Sequence, residues 1–317
     1  MTYEEQKAYF SQRYTALFGE VFGDESHCVF MGNKDVRVCR YCEKSTPDVS
    51  FKHEAHSLPH FIGNRWVFSW DECDECNRHF NVSFEDHLAK YLGPLRTMTR
   101  IKGKKGIPSY KTNDQKSRID VNAAGLNIKH PPGASIIRDS DESEEAVITM
   151  ERQPYIPLAA YKSFIKMALS VMPSTEFAEC RHLCEWIMNP VHSFASFPFK
   201  ALMVMQQLLP QMNHNSGLRV VLLRRLEDVN DCPYMCFVVG FGNVQFQIFL
   251  PMPEQDRHLI GVMSTFTFFP TPFGDESPFG APASSYRDFQ SDQLVQGEEL
   301  KFSFSYGEKI PVEPPQF

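Results

Sequence analysis

Cys39-Arg-Tyr-Cys42 and Cys73-Asp-Glu-Cys76 are two C-x-x-C pairs with 30 residues between them, and they enclose the run Phe51-Lys-His-Glu-Ala-His-Ser-Leu-Pro59 and the pair Gly63-Asn64. A two-residue gap lets both sulfurs of a pair reach one ion. Two such pairs complete a tetrahedral thiolate set with no position left for water, which is the chemistry of a structural Zn²⁺. The alternative, four unrelated core cysteines, needs two matched spacings to coincide. Zinc alone points to no activity, because unrelated folds use it.

The other five cysteines carry weaker signals. Cys180 and Cys184 are four apart in a stretch with helical period and are expected to face a core. Cys232 and Cys236 flank the start of a strand, and Cys28 has no assigned role. Nine cysteines, an odd number, read as metal ligands or small buried apolar residues rather than disulfides. The polar, charged start from Met1 to Phe10 has no signal-peptide core, and no apolar run is long enough to span a bilayer. The expected location is the cytoplasm, where thiols stay reduced.

Taken whole, the pattern C-x-x-C, His-x-x-Pro, Gly-Asn, then C-x-x-C followed by Asn77 resembles the HNH endonuclease family. It is most similar to the zinc-stabilised branch whose strand reads Glu-Ala-His. Phe80, Glu85 and Leu88, and the run Ile101-Lys-Gly-Lys-Lys-Gly-Ile-Pro108, share in the likeness, which covers residues 36 to 110. The resemblance implies a ββα-metal fold, a β-hairpin and a helix clasping one divalent ion. His56 matches the general base, which takes a proton from the water that attacks phosphorus. A neutral imidazole near its ordinary pKa of about 6.5 suits that task. Asn77 matches the helix-borne ligand of the catalytic cation, Mg²⁺ or Mn²⁺, a Lewis acid.

Two positions depart from the family pattern. Ala55 stands where an acidic ligand directly precedes the His; Glu54, one residue back, shares the strand face of His56 and can substitute. Phe68 stands nine residues before Asn77, at the family's middle Asn, so any orienting contact must come from elsewhere. Glu85 is a further candidate ligand, since Asn77, Asn81 and Glu85 fall at i, i+4 and i+8 of a helix starting near Asn77. His53, His60, His79 and His87 crowd the region and read individually as structural or surface residues. The two departures leave open a second reading, a non-catalytic zinc-stabilised module that binds nucleic acid or protein.

The net charge of −7 excludes wholesale coating of nucleic acid, yet the charge is segregated. Lys90 to Arg118 holds nine Lys/Arg and one acid, Asp114, whereas five of the seven residues from Asp139 to Glu145 are acidic. Arg96, Arg100, Lys102, Lys104 and Lys105 surround Gly103 and Gly106, and a basic loop of this kind can follow a phosphate backbone without reading sequence. Double-stranded DNA, the family's usual substrate, is the expected partner.

Outside that region the period of the apolar residues sets the expectations. Phe10, Tyr14, Leu17, Phe18 and Val21 predict one helix over Tyr3–Val21. Helices are expected over Tyr155–Met172 and from Ser174 or Thr175, followed by an apolar stretch at about Phe199–Leu209. Strands are expected at Leu218–Leu226, Tyr234–Gly242, Val244–Leu250, Met263–Phe269 and Leu300–Tyr306, with a hairpin at Gly242-Asn243. The layout is α+β: an N-terminal helix (1–27), an HNH-like unit with knuckle and basic loop (28–114), and an α+β domain with an antiparallel sheet (115–317). For the last, a sensor or oligomerisation role, and a place in anti-phage defence, are the expectations.

Overall fold

The computed structural model describes residues 1–122, 125–133, 136–140, 144–193, 203–209, 217–259, 266–272, 280–306 and 308. Helix α1 (Tyr3–Arg13) opens on a reciprocal cap: the Thr2 hydroxyl accepts from Glu5 N at 3.2 Å, and the Glu5 carboxylate accepts from Thr2 N at 2.7 Å. The helix ends at Arg13. The single helix to Val21 expected from the apolar period is corrected here, because Tyr14–Phe22 forms strand β1 and pairs antiparallel with residues 218–225. A partner strand distant in sequence outweighs a local helical period, and Val21 is left 71% exposed.

Strands β2 (Val29–Met31), β3 (Ala55–His56) and β4 (Val67–Ser69) make a small sheet of order β2-β4-β3, with β2 parallel and β3 antiparallel to β4. Helix α2 (Asp74–Phe80) runs through a π-helical turn, Asn81–Glu85, into α3 (Asp86–Met98). A meander of β5 (Tyr110–Lys111), β6 (Arg118–Asn122) and β7 (Gly125–Lys129) follows, then β8 (Ile137–Ser140) and β9 (Glu145–Glu151). Helix α4 (Pro157–Ser170) is buried at every residue, and α5 (Ser174–Phe177) and α6 (Arg181–Met188) pack beyond it. Phe177 is half-buried, and Cys180, Leu183, Cys184 and Ile187 face the core as expected.

The remaining strands are β10 (Met203–Leu208), β11 (Leu218–Arg225), β12 (Met235–Phe241), β13 (Val244–Phe249), β14 (Ala283–Asp288) and β15 (Glu299–Ser305). Six strands form one antiparallel sheet of order β1-β11-β12-β13-β10-β14. The hairpin at Gly242-Asn243 is present, with Phe241 opposite Val244 and Gly242 at a φ of 52°, where a residue without Cβ is favoured. Within the apolar stretch after α6, residues 203–208 are a strand. One expectation is corrected. Phe266–Phe269 pairs with no strand: the Gln245 and Gln247 side chains donate to Phe269 O and Thr267 O instead. Residues 263–265 lie outside the described residues. Strand β15 joins β9 and β8 rather than the large sheet.

One hydrophobic core holds Cys39, Leu58, Phe80 and Phe84 together with Leu158, Phe164, Phe237 and Phe246, so it runs across both sides of residue 114. All nine cysteines are free. No helix among the described residues is long and apolar enough to cross a membrane.

Candidate functional site

The knuckle closes around a set of sulfurs that fits zinc. The ligand atoms of Cys39, Cys42, Cys73 and Cys76 all lie within 4.8 Å of one another, and the Cys42 and Cys73 sulfurs are 3.8 Å apart. Four Zn–S bonds of about 2.3 Å in a tetrahedron give sulfur–sulfur edges of roughly 3.8 Å. Local structure produces the arrangement. Cys39 N donates to Lys44 O and Glu43 N donates to Cys39 O, curling the first pair, while Cys73 caps α2 and its sulfur accepts from Cys76 N at 3.4 Å. Four thiols at this spacing cannot all ionise without a cation. The Cys76 thiol holds Cys39 down at about 5, while burial pushes the Cys73 thiol up to about 12 and Cys76 also rises.

The two residues inside the first pair reach across to α4. Arg40 Nη1 donates to Leu169 O at 2.6 Å, Met172 O at 3.2 Å and Ser170 O at 3.3 Å, and Arg40 also pairs with Asp71 at 2.8 Å. Tyr41 Oη and Ser170 Oγ are 2.7 Å apart. A cation on the terminal carbonyls of a helix satisfies groups that have no intrahelical donor.

The hairpin carries His56. Its loop is held by Asn64, which is fully buried: Nδ2 donates to Leu58 O at 2.7 Å and Val67 O at 2.9 Å, and Oδ1 accepts from Val67 N at 3.0 Å and Trp66 N at 3.1 Å. In the β3–β4 register His56 lies opposite Phe68 and Ala55, which is buried, lies opposite Ser69; Glu54 precedes the strand and is exposed. Phe30, in register with Phe68 on β2, stacks its ring on Trp70 at 4.5 Å and on Phe68 at 5.2 Å. Lys34 and Arg37 lie 5.6 and 5.7 Å over the Trp70 ring.

The His56 ring is half-buried, 4.8 Å from Phe68 and 5.5 Å from His60. Burial, with His60, Lys104 and Lys166 nearby, lowers its pKa to about 4. It is therefore neutral at pH 7, but a weaker proton acceptor than the imidazole of ordinary pKa expected from the sequence. Its Nδ1 is buried without a hydrogen-bond partner among the described residues. Phe68 supplies none, as the residue type requires.

Asn77 opens onto a hollow of about 270 Å³ lined also by His53, Asp74, Arg78, Asn81 and Val82. Glu54 lines a neighbouring hollow of about 260 Å³ with Arg37, Ser69 and Trp70, and His53 lines both. The sequence reading missed how His53 is oriented. Its Nδ1 lies 3.2 Å from Asp74 Oδ1, and Asp74 also accepts from Lys52 N, His53 N and the Ser50 hydroxyl. Those hydrogen bonds bring the Asp74 carboxyl down to about 2 despite its partial burial. Two readable hints existed: Asp74 opens a helix, where a carboxylate gathers backbone N–H groups, and His53 is exposed. The oxygen donors of Glu54 and Asn77 are of the type that suits a hard divalent cation, though they line different hollows, with His53 on both.

Glu85 sits elsewhere. The i, i+4, i+8 expectation assumed an unbroken α-helix, but a π turn interrupts it over Asn81–Glu85. Asn81 stays exposed, while Glu85 is buried with its carboxylate 3.8 Å from Lys166 Nζ. Glu72, equally buried, lies 3.1 Å from the same ammonium. Burial raises both carboxyls, Glu72 to about 7, against the pull of Lys166.

The basic segment is a closed turn. Gly103 N donates to Gly106 O at 2.9 Å and Gly106 N to Gly103 O at 3.1 Å, which leaves Lys104 and Lys105 exposed at the tip. Lys104 is near enough to His56 and His60 to lower the pKa of both. Arg96 is not on that loop's surface. Its guanidinium packs over Phe61 at 5.6 Å and beneath Gly103, where an added Cβ would come within 2.9 Å of it. Arg100 and Lys102 line a separate hollow of about 140 Å³ with Arg65, Gly63 and Gly242.

Residues 39–92 match the model of the HNH endonuclease family. No curated protein and no solved structure matches the chain. The match begins at the first knuckle cysteine, spans the His56 hairpin and ends within α3, so it covers the segment from Cys39 to Leu92, whose four-cysteine cluster is consistent with the zinc-stabilised branch of that family.

Proposed function

We propose that this protein is a metal-dependent endonuclease that hydrolyses phosphodiester bonds in DNA. The observation that carries the reading is the coincidence of the HNH match with a folded hairpin that carries His56 near Lys104. His56, neutral at cellular pH, takes the proton from the attacking water. Glu54 and Asn77 would hold Mg²⁺ or Mn²⁺, which when bound supplies Lewis-acid stabilisation of charge at phosphorus and the leaving oxygen. Lys102, Lys104 and Lys105 contact the backbone phosphates, and the Lys34 and Arg37 end of the aromatic row extends the cationic surface. Zn²⁺ in the four cysteines is structural.

A specific observation favours a second base. His53 is exposed, sits on the Asn77 hollow and is held by the Asp74 carboxylate. Cleavage of supercoiled plasmid by wild type, His56→Ala and His53→Ala, with and without added Mn²⁺ or Mg²⁺ and with zinc content checked, separates the two. Loss in His56→Ala alone supports the first assignment; loss in His53→Ala alone moves the base. No cleavage by any form leaves a binding module or an enzyme waiting for its activator, and salt-sensitive DNA binding unchanged in His56→Ala favours the module.

Control of cutting by residues 115–317, in a cytoplasmic protein acting in anti-phage defence, completes the proposal. Full-rate cutting with no activator, and phage sensitivity unchanged on loss of the protein, would remove that part.

A further inference from the structure

We infer that Lys166 is the positioning residue for His56, so that α4, which follows the HNH domain in sequence, completes the nuclease site. The inference rests on the reading of His56 as the base. Lys166 is 1% exposed and lies inside α4. Its ammonium faces four oxygens, all from the HNH domain: His56 O at 3.0 Å, Glu72 Oε2 at 3.1 Å, Ser57 O at 3.4 Å and Glu85 Oε1 at 3.8 Å. These oxygens belong to the hairpin strand, the residue before Cys73 and the π turn. One cation therefore ties together the strand, the knuckle and the helix of the domain.

The chemistry makes this cluster interdependent. An ammonium has three donors and no acceptor, and a buried one persists only when paired. Glu72 and Glu85 supply the charge, and neither has another ion-pair partner among the described residues. The His56 ring has no orienting hydrogen bond at Nδ1, and Phe68 occupies the position across from it. The ring is thus held through its own backbone, whose carbonyl is the shortest contact Lys166 makes. The far end of α4 is fixed to the knuckle by Arg40 and Tyr41, which sets the register of Lys166 against β3.

The test uses the full-length, zinc-loaded chain. Lys166→Met keeps the stem and removes the charge. The triple variant Lys166→Met/Glu72→Gln/Glu85→Gln leaves no unpaired buried carboxylate and serves where the single variant does not fold. Deuterium uptake over residues 54–59 should rise while zinc stays bound. kcat on plasmid should fall roughly 100-fold, the order expected of a small misplacement of a reacting group, with KM within about twofold. Uptake over 54–59 and kcat both within about twofold of wild type, in a folded variant, overturn the inference. Should wild type cut no DNA, kcat gives no reading, and the uptake measurement alone decides whether Lys166 holds the strand.

Discussion

Replacing Asn64 by Ala removes the brace of the His56 hairpin. The side chain satisfies two backbone carbonyls and two backbone N–H groups at 2.7–3.1 Å in a fully buried loop. The orientation of the amide is fixed by its partners, since only Nδ2 can donate to the carbonyls and only Oδ1 can accept from the N–H groups. Each buried group left without a partner costs about 1–3 kcal/mol, and water entering the vacated space offsets part of it. Four groups at the lower figure give a loss of roughly 4 kcal/mol, near the top of the range for single substitutions. Urea unfolding of the zinc-saturated protein, followed by far-UV circular dichroism, should show a midpoint lowered by about 1–2 M at unchanged slope, for a slope of roughly 2–3 kcal/mol/M. Asn64→Asp should be at least as damaging as Ala at pH 7, because it buries a carboxylate oxygen against the Leu58 and Val67 carbonyls that lose their donor. A midpoint for Asn64→Ala within about 0.3 M of wild type refutes the argument that this one amide closes the loop.

Three further outcomes follow from the site. Cys73→Ser should bind less than one zinc per chain and expose residues 39–92 to protease, as read by metal analysis and limited proteolysis, because Cys73 is both a ligand and the cap of α2. Lys104→Ala/Lys105→Ala should reduce the slope of log binding constant against log salt by about 1.4–1.8 while leaving the melting temperature in place; an unchanged slope removes the turn from the DNA interface. The His56 imidazole should titrate near pH 4, below the ordinary 6.5, as followed by its ring proton resonance, assigned by its absence in His56→Ala. Because the folded state lowers this pKa, its contribution to stability is full above pH 6.5 and is lost as pH falls towards 4. A midpoint at or above 6.5 contradicts the burial and nearby cations described for it.

What the sequence made legible is what depends on spacing along the chain. Two C-x-x-C pairs announce a thiolate cluster, and Gly242-Asn243 marks a hairpin. What it concealed depends on partners far away in sequence. Tyr14–Phe22 carries a helical period but becomes a strand because residues 218–225 offer it a ladder. Arg96 belongs to a basic run yet packs under Gly103. Lys166 reads as one cation in an apolar helix, and only the fold brings it to His56, 110 positions earlier. The Asp74–His53 contact spans 21 positions and no periodic pattern announces it.

The π turn at Asn81–Glu85 also bears on how this domain can change over generations. Such a turn holds one residue more than an α-helical one, so a single-codon deletion within it would leave an unbroken α-helix. Because the extra residue is taken up within the turn, the helix beyond it would keep its face and Glu85 would still meet Lys166. The turn is therefore a place where the chain can lose one residue in descent without giving up the brace on the hairpin.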